Sequence, residues 1–310
     1  MRLGVLDVGS NTVHLLVVDA YRGGHPTPTH SSKSVLRLAE HLTKNGSLSK
    51  SGEQSLVDAV ARAKKDARNQ NCDDLLAFAT SAVRDASNSA SVLDRVKRET
   101  GVELIVLTGP EEARLTFLAV RRWYGWSAGR LLDLDIGGGS FEMAVGVDEE
   151  PERAISVPLG AGRMARLFLR GDPPDKKALS ALREHAEATL AKPAKEIAAV
   201  GASDRIVATS KTFRSLARLT GAAPSSAGPR VSRQLTLEGL GQLIGFISRI
   251  SSADLAELDG VSATRAHQLL AGAVVAEVAM NLLKIGAVQI CPWALREGVI
   301  LRRLDWLEGV

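Results

Sequence analysis

Two stretches of this chain share one local pattern, and that repetition restricts its architecture more than any other feature. Val5–Asp19 reads VLDVGSNTVHLLVVD and Leu131–Asp148 reads LLDLDIGGGSFEMAVGVD. Each is an apolar strand ending in Asp-x-Gly, a turn of small residues, and an apolar return strand. A duplication about a domain length apart suggests two related lobes facing each other, each opening on a strand–turn–strand hairpin.

At 310 residues the chain is long enough for two domains with separate cores. Between the two hairpins the spacing predicts helices over Lys50–Arg68, Ser91–Thr100 and Pro110–Arg122, with strands at Leu75–Thr80 and Val102–Leu107. That alternation indicates an α/β domain. YGWSAG, from Tyr124 to Gly129, breaks the pattern and marks the expected boundary, giving domains of 1–125 and 126–295. The second half is richer in helix, with helices expected at Lys177–Ala199, Thr212–Thr220, Leu237–Ile250 and Ala263–Leu283. Short strands are expected at Arg205–Thr209 and Val288–Cys291, and a Pro/Gly/Ser loop over Gly221–Val231. A last helix, Ala294–Leu307, could cross back so that residues 296–310 pack on the first lobe.

Composition narrows the chemistry. Two cysteines far apart, Cys72 and Cys291, argue against a disulfide framework or thiolate zinc site and fit a reducing cytoplasm. No apolar run reaches membrane-spanning length, and the N-terminus enters a strand pattern without a signal peptide. A cytoplasmic protein without a membrane partner is expected. The formal charge of +4 favours polyanions by long-range steering. No recognition helix, zinc-finger spacing or aromatic-studded basic strand points to nucleic acid. The six histidines form no metal-ligand spacing and read as surface or satisfied core groups.

Five constellations carry candidate chemistry. In DVGSN, the small residues Gly9, Ser10 and Asn11 after Asp7 let backbone amides approach a phosphate, and the acid suits a hydrated magnesium ion. A plain hairpin turn is the alternative. In DIGGGS, Gly137, Gly138 and Gly139 before Ser140 add no packing, so they form either a flexible turn or a second phosphate cradle after Asp135. In TGPEEARL, Thr108 and Glu111 have capping-box spacing, while Glu112, about 100° further round the helix, is available as an ionised base. Arg84 in ATSAVRDA lies near a strand's carboxyl end, where it would either pair with phosphate or form a surface bridge to Asp85. In ATSKTFRS, Lys211 follows a strand at a helix N-terminus, which reads either as an anion site or as ordinary Ser/Thr capping. Arg163, Arg166 and Arg170 have the spacing of one helical side, a solvated face or a guide for a polyanion.

In chain order DVGSN, LRLAEHL, TSAVR, GPEEARL, DIGGGSFE, SVPLGAGRM, TSKTFRSLA and ALREGV resemble the exopolyphosphatase and guanosine pentaphosphate phosphatase family over nearly the whole chain. The resemblance implies two actin-like lobes of ribonuclease H type, related to sugar kinases, with the active site in the cleft between them. It implies that Glu112 matches the catalytic base and Arg84 an arginine on the attacked phosphate. Asp135 matches a magnesium-associated carboxylate, and Glu142 a second essential carboxylate expected to share the metal. Asp7, Gly9, Ser10 and Asn11 match one phosphate loop and Gly137–Ser140 the other. Lys211 stands where family members often carry Gly, and His41 likewise; the chain resembles the short form without a further C-terminal helical region.

The expected activity is therefore magnesium-dependent hydrolysis of terminal phosphate from polyphosphate, with short chains favoured. Guanosine pentaphosphate hydrolysis, a non-catalytic sensor of guanosine tetra- or pentaphosphate, and a kinase are the rivals, since one fold serves many functions. Dimerisation is expected from the resemblance alone.

Overall fold

The computed structural model describes residues 1–306 apart from 22, 25 and 44. His25 and the stretch 307–310, to which the expected last helix extends, lie outside the described residues. The chain divides into two compact units, Met1–Leu115 with Leu295–Val310, and Thr116–Ala294.

In the first unit, β1 (Arg2–Val8) pairs antiparallel with β2 (Thr12–Asp19) over seven residue pairs, Arg2↔Asp19 through Val8↔Val13. Strand β3 (His30–Val35) extends that edge, and β4 (Asp74–Ala79) and β5 (Ile105–Val106) continue in parallel on the other side. The order is β3-β2-β1-β4-β5. Strand β1 is apolar from Leu3 to Leu6 because both its faces are covered there. Leu6 and Val8 pack with Leu56 and Val60 of α1 (Lys50–Asn69). Leu3 and Val5 pack with Ile300 and Leu304 of α11 (Leu295–Asp305). Gly298 lets α11 approach closely: a β-carbon there would lie 1.8 Å from the Leu115 carbonyl oxygen of α4 (Gly109–Tyr124). Two further helices, α2 (Ser81–Arg84) and α3 (Ser89–Thr100), follow β4.

The second unit repeats the plan. β6 (Leu131–Ile136) pairs antiparallel with β7 (Phe141–Gly146) and parallel with β9 (Arg205–Ala208). β8 (Arg153–Val157), β11 (Ala287–Ile290) and β10 (Gln234–Thr236) complete the order β10-β11-β9-β6-β7-β8. The segment β8-β7-β6-β9-β11 thus corresponds to β3-β2-β1-β4-β5, with β10 added at the far edge. In each unit the neighbouring strand bonds back to the motif strand, with registers that differ by two residues relative to Asp-x-Gly. Thr80 N donates to the Val8 carbonyl at 3.1 Å and Thr209 N to the Leu134 carbonyl at 2.9 Å. Leu107 N reaches Ala79 O, and Cys291 N reaches Ala208 O, each at 3.0 Å. This is the strand order of the expected ribonuclease H-like, actin-type lobe. Leu132, Leu134 and Ile136 face a core built with α5 (Ala161–Phe168), α6 (Lys176–Ala198), α7 (Ser210–Leu219), α8 (Leu237–Ile247) and α10 (Ala266–Leu282). Helix α10 is apolar nearly all round because neighbours surround it. A short α9 (Ser252–Ala256) adds Leu255.

Several elements differ from the periodicity. The division between units falls inside α4, before the Tyr124–Gly129 break. That break ends the helix, with Gly125 at φ +73° and Gly129 at +64°, but remains within the second unit. Strands β3 and β8 carry no continuous apolar run because each lies at or next to a half-exposed sheet edge. Helix α5 stops at Phe168, so Arg170 lies beyond it and only Arg163 and Arg166 share its turns.

Candidate active site

In the first unit the DVGSN turn is closed by a 2.9 Å bond from Gly9 N to Thr12 O. Ser10 and Asn11 are buried, and the Ser10 hydroxyl lies 3.0 Å from that of Ser81 at the start of α2. Asp7 alternates onto the face of Leu3 and Val5, where α11 lies. Its carboxylate is 3.9 Å from Arg296 Nε, and the Arg296 guanidinium also contacts His14. Desolvation first, then the charges of Arg296 and Lys33, push the His14 imidazole down to about 4.

Arg84 and Glu112 meet in this unit. Arg84 ends α2, just past the carboxyl end of β4. Its Nη1 binds Glu112 Oε1 and, at 3.0 Å, the Leu107 carbonyl; its Nε binds Asp85 Oδ1 at 3.0 Å. The bridge to Asp85 is thus present, and the same guanidinium also reaches Glu112. Its half-buried side chain is desolvated, yet the two carboxylates hold its pKa above the ordinary guanidinium value. Nη2 has no hydrogen bond among the described residues and remains a donor for an incoming anion. Glu112 is only 7% exposed and sits in the first turn of α4, where the helix dipole favours its charge. Glu111 has the separate job expected of it. Its Oε2 accepts from Thr108 N and Oγ1, both at 2.7 Å, closing the capping box.

In the second unit the GGGS turn is closed by the matching bond, Gly137 N to Ser140 O at 2.9 Å. Here the loop is also clamped from outside. Ala161 N donates to Gly137 O and Arg163 N to Gly138 O, both at 2.9 Å. Gly160 at the start of α5 lies so close that a β-carbon would sit 2.4 Å from the Gly139 and Ser140 backbone. Asp135 and Glu142 are cross-strand partners, so their side chains share one sheet face at roughly 5 Å between β-carbons. Asp135 Oδ2 accepts from the buried Thr209 hydroxyl at 2.6 Å, and Glu142 Oε1 accepts from Ser156 at 2.8 Å. Desolvation raises the Asp135 pKa; the Thr209 bond, Arg214 and Arg265 oppose it. On the same face Asp133 is 2% exposed with Oδ1 unpartnered, and burial, Asp135 and Glu142 hold its carboxyl far above the usual range. Lys211 is in α7, one residue past Ser210, whose φ of +67° marks a strained turn.

The donor set of Asp135 and Glu142 suits magnesium. Both are hard oxygen ligands, and magnesium is commonly held by one or two carboxylates together with substrate phosphates and water. Among the described residues no cluster of three or more His, Cys, Asp or Glu side chains could hold a metal unaided. His30 pairs with Asp66 at 3.0 Å and His185 packs on Phe168 at 4.9 Å.

Sequence reasoning missed Thr209, Ser156, Gly160 and Arg296 as supporting residues. A signal for the first existed: Ala-Thr-Ser occurs at both Ala79–Ser81 and Ala208–Ser210, each time after the strand beside the motif strand. For Ser156 and Gly160 there was none, since their roles depend on cross-strand pairing and close approach.

A profile described as the Ppx/GppA phosphatase family matches residues 17–306. Exopolyphosphatase 1 of Mycobacterium tuberculosis is 63% identical over 305 residues, covering 98% of this chain and 89% of that protein. A guanosine-5'-triphosphate,3'-diphosphate pyrophosphatase of Aliivibrio fischeri is 26% identical, covering 98% of this chain and 59% of that protein. A solved exopolyphosphatase from Cytophaga hutchinsonii superposes with a TM-score of 0.88 at 25% identity, covering 100% of both chains. Its paired hairpins, its Arg84–Glu112 contact and these matches place the chain in one group: it belongs to the Ppx/GppA phosphatase family.

Proposed function

We propose that the protein is an exopolyphosphatase, releasing orthophosphate from the end of inorganic polyphosphate by attack of water. The observation that carries the hydrolytic chemistry is the contact between Arg84 and the buried Glu112 at the end of the first sheet. The 63% identity to relatives named exopolyphosphatase 1 supports the substrate.

Glu112 takes a proton from water as the water oxygen attacks the terminal phosphorus. The bond from that phosphorus to the bridging oxygen breaks, and the shortened chain leaves with the electron pair. Arg84 turns donors toward the phosphate oxygens, and anion binding there loosens its hold on Glu112, whose basicity then rises. The amides of the two glycine-containing turns bind non-bridging oxygens without reorganising. Asp135 and Glu142 would hold a magnesium ion or its waters, and the ion would neutralise charge on the phosphoryl group. The enzyme acts in the cytoplasm as a homodimer, which analytical ultracentrifugation would check. Among the described residues no helix is long and apolar enough to cross a membrane.

A second reading, hydrolysis or sensing of guanosine pentaphosphate, is favoured by the 26% identical relatives named for that nucleotide. The deciding experiment is phosphate release with magnesium from tripolyphosphate, long polyphosphate, guanosine pentaphosphate and ATP. Release from polyphosphate, lost on chelation of magnesium, is expected. Release from guanosine pentaphosphate alone, or tight binding of it without turnover of any substrate, would replace the proposal with the second reading.

A further inference from the structure

A cavity of about 440 Å³ lies beside α7 in the second unit, within the size range of small-ligand sites. Lys211, Arg214 and Arg218 line it. Their spacing puts them on one face of α7, spread over roughly 10 Å at ~1.5 Å per residue. The stripe starts two residues after Thr209, the partner of Asp135, and leads away along the helix.

Backbone carbonyls orient the arginines of this lining. Arg214 Nη2 donates to the carbonyls of Cys291 and Pro292, at 3.4 and 2.8 Å. A fourth lining cation, Arg233, is fixed by the carbonyls of Ala223, Pro224, Val231 and Gly228 at 2.6–3.0 Å. Carbonyls orient a guanidinium without cancelling its charge. The one acid lining the cavity is Asp259, 94% exposed and 3.6 Å from Arg218. Lys211 has no hydrogen bond or ion pair among the described residues. Burial, then Arg214 and Arg265, lower its pKa, as expected where positive charge is crowded. Arg214 Nε is buried without a partner. Among the described residues no aromatic side chain lines the cavity, so a base would lack the usual stacking platform. A linear row of cations suits an extended polyanion instead.

Resting on the polyphosphate reading, and against the short-chain preference expected from the resemblance, we infer that this cavity holds inner phosphates of the polyphosphate chain and so selects chains long enough to extend along α7. Lys211, first in the row of cations, then serves substrate length.

The test compares tripolyphosphate with long polyphosphate in the wild type, the Lys211→Ala/Arg218→Gln double variant and Arg218→Lys. In the double variant KM for the long chain should rise about tenfold at constant kcat, the signature of lost uniform binding. Tripolyphosphate kcat/KM should stay within about twofold, and the loss should shrink at high salt. Arg218→Lys keeps the charge and should stay near wild type, separating charge from the packing of Arg218 against Gly260. An unchanged chain-length ratio in a folded double variant, beside a wild type that hydrolyses both chains, overturns the cavity assignment alone. A wild type that hydrolyses neither chain overturns the proposed function. Calorimetric titration of long polyphosphate into Glu112→Gln protein then still reads the cavity, and equal binding with and without the double substitution refutes it. Inhibition by GDP that the double variant abolishes, with chain-length dependence intact, would make the cavity a nucleotide site instead.

Discussion

The two hairpins share one fold, one closing hydrogen bond and a pair of outside backbone amides, yet their closest support differs. The Asp7–Asn11 turn is held by backbone at its end, with Leu36 N and Arg37 N on the Asn11 carbonyl at 2.9 and 3.0 Å, and by side chains: the Ser10–Ser81 hydroxyl pair beside it, and Arg296 near Asp7. The Asp135–Ser140 turn is clamped by backbone, with α5 amides on its carbonyls and Gly160 pressed against Gly139. The first unit adds the Arg84–Glu112 contact; the second adds two carboxylates on one sheet face. On the proposed reading, a repeated scaffold carries the proton-transfer pair in one unit and the candidate metal carboxylates in the other. The close approach of Gly160 in the second unit confines a loop of three consecutive glycines that would otherwise be flexible.

That contrast can be broken by substitution. The largest effect belongs to the first unit's chemistry. Glu112→Gln should lower phosphate release about 10³-fold with the melting temperature little changed. A variant keeping most of its activity would move the base elsewhere. Next comes the clamp. Gly160→Ala should cost about 3 kcal/mol of stability by urea denaturation, through overpacking against a backbone that cannot yield. Gly9→Ala should cost under about 1 kcal/mol, because the nearest atom to its β-carbon is 3.6 Å away. Similar costs would erase the distinction. Thr209→Val should destabilise by about 2 kcal/mol by leaving the desolvated Asp135 without its donor, and Ser81→Ala by about 1 kcal/mol.

The smallest effects are in pH dependence, where the units should oppose each other. His14 folds with its pKa depressed to about 4 from 6.5, so between those values the unfolded chain binds more protons. Its contribution is complete above 6.5 and is lost as pH falls toward 4. Asp133 is raised above 3.8, so the native state holds the extra proton and its contribution declines as pH rises. His14→Gln should flatten the acid side of a stability profile taken between about pH 5 and about pH 8, and Asp133→Asn the alkaline side. Parallel shifts from both variants would deny the opposition.

Much of this was legible in the residues themselves. Asp-x-Gly between apolar runs determines a hairpin by local sterics, and two copies announce two lobes. Thr108 and Glu111 declare a capping box because every atom involved lies within three residues. The strand HSSKSV was hidden, since an edge strand is defined by its neighbour's open hydrogen bonds and not by its own apolarity. The Tyr124–Gly129 break was visible as an irregularity, but irregular backbone is not the same as a change of packing partner.

The amino-acid sequence by itself determined the hairpins, the helix caps and the alternation of strand and helix, because those depend on φ/ψ preference and side-chain period over a few residues. Only the tertiary structure decided that Arg84 meets Glu112, that Thr209 holds Asp135 and that Gly160 clamps the second turn. Those contacts join residues 28, 74 and about 20 positions apart. Their geometry is set by how sheets and helices pack, which no local preference encodes.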